Sequence, residues 1–130
     1  MIRKGIAPRF TLGKHERLKS RKLIAELFDS GKQISAHPLK TIYKLRENEL
    51  PLQAAFTVSS KTFRRAVDRN RIKRLMREAY RVQKNELKEK LTEKEKQLIV
   101  FFIFTGREIP DFETVSMKMT AVLKMLLKDV

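Results

Sequence analysis

The sequence predicts a small two-layer α+β sandwich, and three observations carry the prediction. Residues 64–81, RRAVDRNRIKRLMREAYR, repeat apolar side chains at helical spacing; residues 98–104, LIVFFIF, are seven continuous apolar residues; and residues 32–60 alternate as strands do between turn residues. Strands followed by helices within 130 residues make one layer of helices on a sheet, around one modest core.

The elements follow in order. Residues 1–19 are basic, mostly polar and punctuated by Gly5, Pro8 and Gly13, which predicts an arm that orders fully only against a partner, with a single domain over 20–130. Ser20 is a candidate N-cap, Leu23, Ile24, Leu27 and Phe28 recur at helical spacing, and Gly31 follows the end, so the first helix is short and one-sided. Gln33–Ser35 is a weak strand. Leu39–Leu45 and Ala54–Val58 are stronger ones, and the turn Arg46-Glu47-Asn48-Glu49 with Pro51 between them predicts adjacent antiparallel strands. A basic helix begins between Thr62 and Asp68 and runs to about Leu91. Leu98–Phe104 predicts a strand buried on both faces at the centre of the sheet. After Gly106 and Pro110, the residues Val115, Met119, Val122, Leu123, Leu126 and Val130 mark a last amphipathic helix.

Charge narrows the function. The net charge is +15, and twenty of the thirty Lys and Arg fall in two segments, residues 1–22 and 61–90. Such an excess favours a polyanionic partner. With no Cys there is no disulfide framework and no thiolate metal site, and neither a signal peptide nor a membrane-length apolar run is present, so the expectation is a soluble cytoplasmic protein without membrane contact. On the basic helix, Ile72, Leu75, Met76 and Ala79 gather on one side, while Asn70, Lys73, Arg74, Arg77 and Arg81 gather on the other. Arg outnumbers Lys there, and its forked donors suit the phosphates of a folded nucleic acid. A solvated basic face is the alternative reading of that stripe. Catalytic constellations are thin: His15 and His37 are isolated, Glu93 and Glu95 lie among Lys90, Lys94 and Lys96, and there is no Gly-rich phosphate loop or paired carboxylate set.

Within this helix, Arg69-Asn70-Arg71, followed by Ile72-Lys73-Arg74-Leu75 and Arg77-Glu78-Ala79, resembles the RNR signature of the bacterial ribonuclease P protein component. The run FTVSSK at Phe56–Lys61 resembles the strand leading into that signature, RLKSRKLIAELFDSG at Arg17–Gly31 resembles the family's first helix, and LIVFFIF takes the place of its last strand. The chain departs from the family at Ile24, where Phe is frequent, and at Phe63-Arg64, where a Gly-containing turn is usual.

The resemblance implies a mixed four-stranded sheet similar to the second domain of ribosomal protein S5, with a left-handed βαβ crossover. It implies a protein subunit of an endoribonuclease whose catalytic RNA, with Mg²⁺, removes the 5′ leader of precursor tRNA, while the protein binds no cofactor or metal of its own. Carried onto this chain, Arg69, Asn70, Arg71, Lys73, Arg74, Arg77 and, at the end of the same face, Arg81 become contacts to the catalytic RNA. Phe28, Lys61, Phe56 and Tyr43 become contacts to the single-stranded leader, by stacking and backbone tracking. A structural ribosome-associated RNA-binding protein is the alternative, and a DNA-binding regulator or an autonomous nuclease ranks below it.

Overall fold

The computed structural model describes residues 16–47 and 52–130. In them the chain forms α1 (Arg21–Ser30), β1 (Lys32–Ala36), β2 (Leu39–Arg46), β3 (Leu52–Val58), α2 (Ala66–Arg81), α3 (Asn85–Glu93), β4 (Gln97–Phe104) and α4 (Phe112–Asp129). The expected arm lies outside the described residues up to residue 15, as does the turn over 48–51. Residues 16–18 already pack on the body: Leu18 N–H donates to the Ala54 carbonyl at 2.8 Å beside an Arg17–Ala54 bridge, and the Leu18 side chain is buried.

Helix α1 starts and stops as its sequence predicts. Ser20 Oγ accepts from Leu23 N–H at 3.3 Å, and the Gly31 N–H returns to the Leu27 carbonyl at 2.8 Å. Glycine is required here for close approach, since a Cβ would sit 2.5 Å from the Leu27 carbonyl oxygen and 2.8 Å from Ile42 Cγ2. Any larger residue would lift the helix end off β2.

The sheet order is β1-β2-β4-β3, with β1/β2 and β2/β4 antiparallel and β3/β4 parallel. The expected antiparallel pairing of β2 with β3 is therefore corrected: β4 lies between them. The reason is burial. The apolar run of β4 gains most where it has neighbours on both edges and cover on both faces, and β1, the most polar strand, and β3 take the edges of the sheet. Arg46 pairs with Gln97 and Leu52 with Leu98, so the end of β2 and the start of β3 stand two strand spacings apart, about 10 Å. Residues 47–51 can cover that span at up to about 3.3 Å each. Parallel β3 and β4 need a crossover, and α2 with α3 supplies it.

Helices cover both faces, which corrects two layers to three. Alternation along the strands sends Leu39, Tyr43, Ala54, Val100, Phe102 and Phe104 to one face, where α2, α3 and α4 build the main core. The other face presents Ile42, Ile99, Phe101 and Ile103 to the short α1 and to Leu18. Ten residues of helix do not cover it, and Phe101 and Ile103 remain half-exposed.

The basic helix expected to reach Leu91 is broken at residues 82–84. Gln83 N–H closes on the Tyr80 carbonyl at 3.0 Å, and the Gln83 side chain reaches α4 at Ser116 and Thr120. All six residues assigned to the apolar face of α4 are buried, five within the helix and Val130 just past its end. Asp111 caps it, accepting from Thr114 N–H at 2.8 Å, and Lys94 Nζ reaches the Val130 carbonyl at its C-terminus, where cations complement the helix dipole.

Candidate nucleic-acid interface

Helix α2 docks on β3 and α4 through Ile72, Met76, Ala79 and Tyr80, all fully buried, with Leu75 half-buried beside them. This docking fixes the rotation of the helix, and the periodicity then turns Asn70, Arg71, Arg74 and Arg77 outward as an exposed row with Lys73 at its flank. Among the described residues none of these five makes a salt bridge or a side-chain hydrogen bond within the protein. Their donors face solvent at spacings set by the helix.

The two ends of the stripe behave differently. Arg69 Nη1 donates to the Phe63 and Arg64 carbonyls, both at 2.8 Å, so this side chain shapes the turn that leads into the helix. Arg81 grips Glu78 Oε2 through Nε at 3.0 Å and Nη2 at 2.7 Å. That hydrogen bond holds the Glu78 carboxyl below its ordinary range against the opposing effect of burial, and the charges of Arg81, Arg74 and Arg77 push the same way. Ahead of the helix, Arg65 pairs with Asp68 at 3.7 Å.

The residues assigned to a leader site do not converge. Phe28 is 57% exposed and stands edge-on to Phe101, ring centroids 5.3 Å apart, on the α1 face of the sheet. Phe56 pairs with Phe102 and Tyr43 with Val100, and both side chains belong to the opposite face. Phe56 stacks on Phe102 at 5.3 Å and meets Tyr80 edge-on at 5.5 Å, while the Tyr43 hydroxyl donates to Asp129 Oδ2 at 2.5 Å. Strand register excludes them from Phe28's surroundings. Lys61 is exposed in the turn beyond β3.

Sequence reasoning missed the groups that do share Phe28's face. Phe101 and Ile103 lie there because they occupy odd positions of a strand whose even positions enter the main core, and Lys40 pairs with Ile103. Lys44 and Arg46 are on this face too, both paired with Glu26, at 3.3 and 3.6 Å. Strict alternation within LIVFFIF, once one face was known, was the available signal.

The family model for Ribonuclease P matches residues 12–127. The chain belongs to the ribonuclease P protein family. A ribonuclease P protein component from Porphyromonas gingivalis is 41% identical over 114 residues, covering 86% of this chain and 83% of that protein. One from Chlorobium phaeobacteroides is 34% identical over 125 residues, covering 87% and 86%. The fold is similar to that of the ribonuclease P protein from Thermotoga maritima, with a TM-score of 0.68 at 24% identity over 85% of this chain and 96% of that one. A Staphylococcus aureus ribonuclease P protein gives 0.63 at 22%, over 85% and 94%. The protein is thus a subunit of the ribonuclease P endoribonuclease, assisting 5′ leader processing of precursor tRNA, and membership of the family implies an RNA subunit as its partner. Among the described residues no helix is long and apolar enough to cross a membrane, and no cluster of three or more His, Asp or Glu is arranged to hold a metal ion.

Proposed function

We infer that the protein works as a clamp between two RNAs. The exposed row Asn70, Arg71, Lys73, Arg74 and Arg77 contacts phosphates of the catalytic RNA, Arg69 holds the entry turn and Arg81 ends the row. Phe28, over Phe101 on the sheet face that also carries Lys40, gives the unpaired leader a stacking surface, with Lys61 following its backbone. The observation that carries this reading is the outward row Asn70, Arg71, Lys73, Arg74 and Arg77 on α2, which makes no salt bridge or side-chain hydrogen bond among the described residues and is held by a buried opposite face. The arm over residues 1–19 adds charge to the single domain of 20–130, and the complex acts on precursor tRNA in the cytoplasm. Mg²⁺ is assigned to the RNA-catalysed step on the strength of the family resemblance. The β3–α2–α3–β4 connection, on the strength of the family resemblance, is left-handed against the general rule.

Reconstitution tests the clamp. Leader removal by the catalytic RNA at low Mg²⁺ should be stimulated by the protein, and the protein with Mg²⁺ alone should leave precursor tRNA uncut. Phe28→Ala should weaken holoenzyme binding of precursor tRNA by about 1–3 kcal/mol and leave mature tRNA binding unchanged. Equal losses for both ligands would remove Phe28 from the leader surface.

A further inference from the structure

At the end of the sheet where β3 and β4 finish, an open cleft of about 540 Å³ lies between the β1–β2 turn and the β4–α4 loop. Its volume is within the range of small-molecule sites. Half-buried Pro38, Ile109 and Pro110 contribute apolar wall, and exposed His37, Arg107 and Glu108 supply a polar rim. The two sides of the cleft are tied together. Thr105 donates to the Pro38 carbonyl through its backbone N–H at 2.8 Å and through Oγ1 at 3.1 Å. Gly106 closes on the Phe104 ring, so that a Cβ there would come within 2.6 Å of Phe104 Cζ and 3.2 Å of Pro38 Cβ. The walls are therefore held before any ligand arrives.

We propose that this cleft binds one unpaired nucleotide of RNA, its base on the apolar wall and its phosphate on Arg107 and His37. The apolar wall of Pro38, Ile109 and Pro110 favours the face of a base over a hydrated ion. The charge favours a nucleotide: Arg107 offers planar donors to phosphate or to a base edge, and Glu108 accepts from an exocyclic amino group. Cations continue away from the cleft. Phe104 contacts the ring of Phe63 at 6.0 Å, and Phe63 leads into Arg64, Arg65 and the start of α2. A strand of RNA lying on α2 could thus reach the cleft across the sheet end. This proposal rests on the RNA-clamp reading, and names a third point of contact for it.

The nucleotide can belong to the leader or to the catalytic RNA, and the test separates them. In reconstituted holoenzyme, 4-thiouridine is placed in the leader in one arm and in the catalytic RNA in the other, and photocrosslinked peptides are mapped. The expected result is a crosslink within residues 37–38 or 105–110 from one of the two RNAs. Arg107→Ala and His37→Ala, both exposed sites, should each weaken binding about tenfold with unchanged thermal unfolding. The loss is confined to precursor against mature tRNA if the leader is the source, and to protein–catalytic RNA affinity if that RNA is. The double variant Arg74→Ala, Arg77→Ala is the reference. If it loses RNA binding while both cleft variants bind as wild type, or if affinity falls with no crosslink in these segments, the cleft is not a nucleotide site and the clamp stands. If the reference variant also binds as wild type, the clamp reading fails.

Discussion

Tyr43 stands opposite Val100 in the β2–β4 ladder, and that register places its ring in the main core with its hydroxyl on Asp129. Burial first, then the hydrogen bond and the negative charge of Asp129, push the phenol from 10.0 to about 12. A raised value in the folded state favours the protonated hydroxyl. Its contribution is therefore complete below pH 10.0 and is lost as pH rises through about 12. Tyr43→Phe should cost about 1 kcal/mol at neutral pH. In urea titrations from neutral pH to about 12, the gap between wild type and variant should close across that window. A gap that stays constant would remove the phenol from the pH response. Phe28 is the contrasting case, exposed on the other face, where its ring is available to a ligand.

Helix α2 shows how an element divides labour between its sides. Ile72 and Met76 are fully buried, and truncating either to Ala should cost about 2–5 kcal/mol in folding. Arg74 and Arg77 are exposed, so replacing both by Ala should change stability by less than about 0.5 kcal/mol. Binding should respond in the opposite sense: each phosphate that is no longer neutralised lowers the log–log salt slope for catalytic RNA by about 0.7–0.9. An unchanged slope in titrations over a range of salt would exclude both residues from phosphate contact. The amphipathic face of this helix was legible in the sequence because burial follows its period. The break at 82–84 was not, because Val82, Gln83 and Lys84 include no Gly or Pro to announce it.

At the scale of the molecule, Lys84 ties the start of the described chain to the α2–α3 junction. Its side chain is 1% exposed, its ammonium bonds the carboxylate of Glu16, which is 15% exposed, and Lys88 lies 3.9 Å from the same oxygen. Burial pushes the Lys84 ammonium below its ordinary range, and the hydrogen bond and charge of Glu16 oppose that effect. Glu16→Gln weakens the compensation of a buried charge and should destabilise the fold by about 3 kcal/mol. Glu16→Gln combined with Lys84→Met should recover most of that loss. Chemical denaturation of the two variants measures the difference, and an equal loss in both would show that the pair does not couple the segments.

What the sequence determined by itself was local: the apolar faces of α2 and α4, whose period matches their burial, a Ser cap and a Gly stop on α1, a strand that had to be central because it is apolar throughout, and a basic signature specific enough to indicate the family. These follow from propensity and periodicity over a few turns of chain. Tertiary structure alone decided which strand neighbours which, since β2 and β3 are consecutive in sequence and yet yield the central place between them to β4, which buries more. It also decided, by one residue of register, that Tyr43 and Phe56 serve the core while Phe101 lies under Phe28. A strand's period of two states that its residues divide between two faces. Which face meets three helices and which, among the described residues, meets α1 and Leu18 depends on contacts between residues far apart in the chain, and no local pattern contains them.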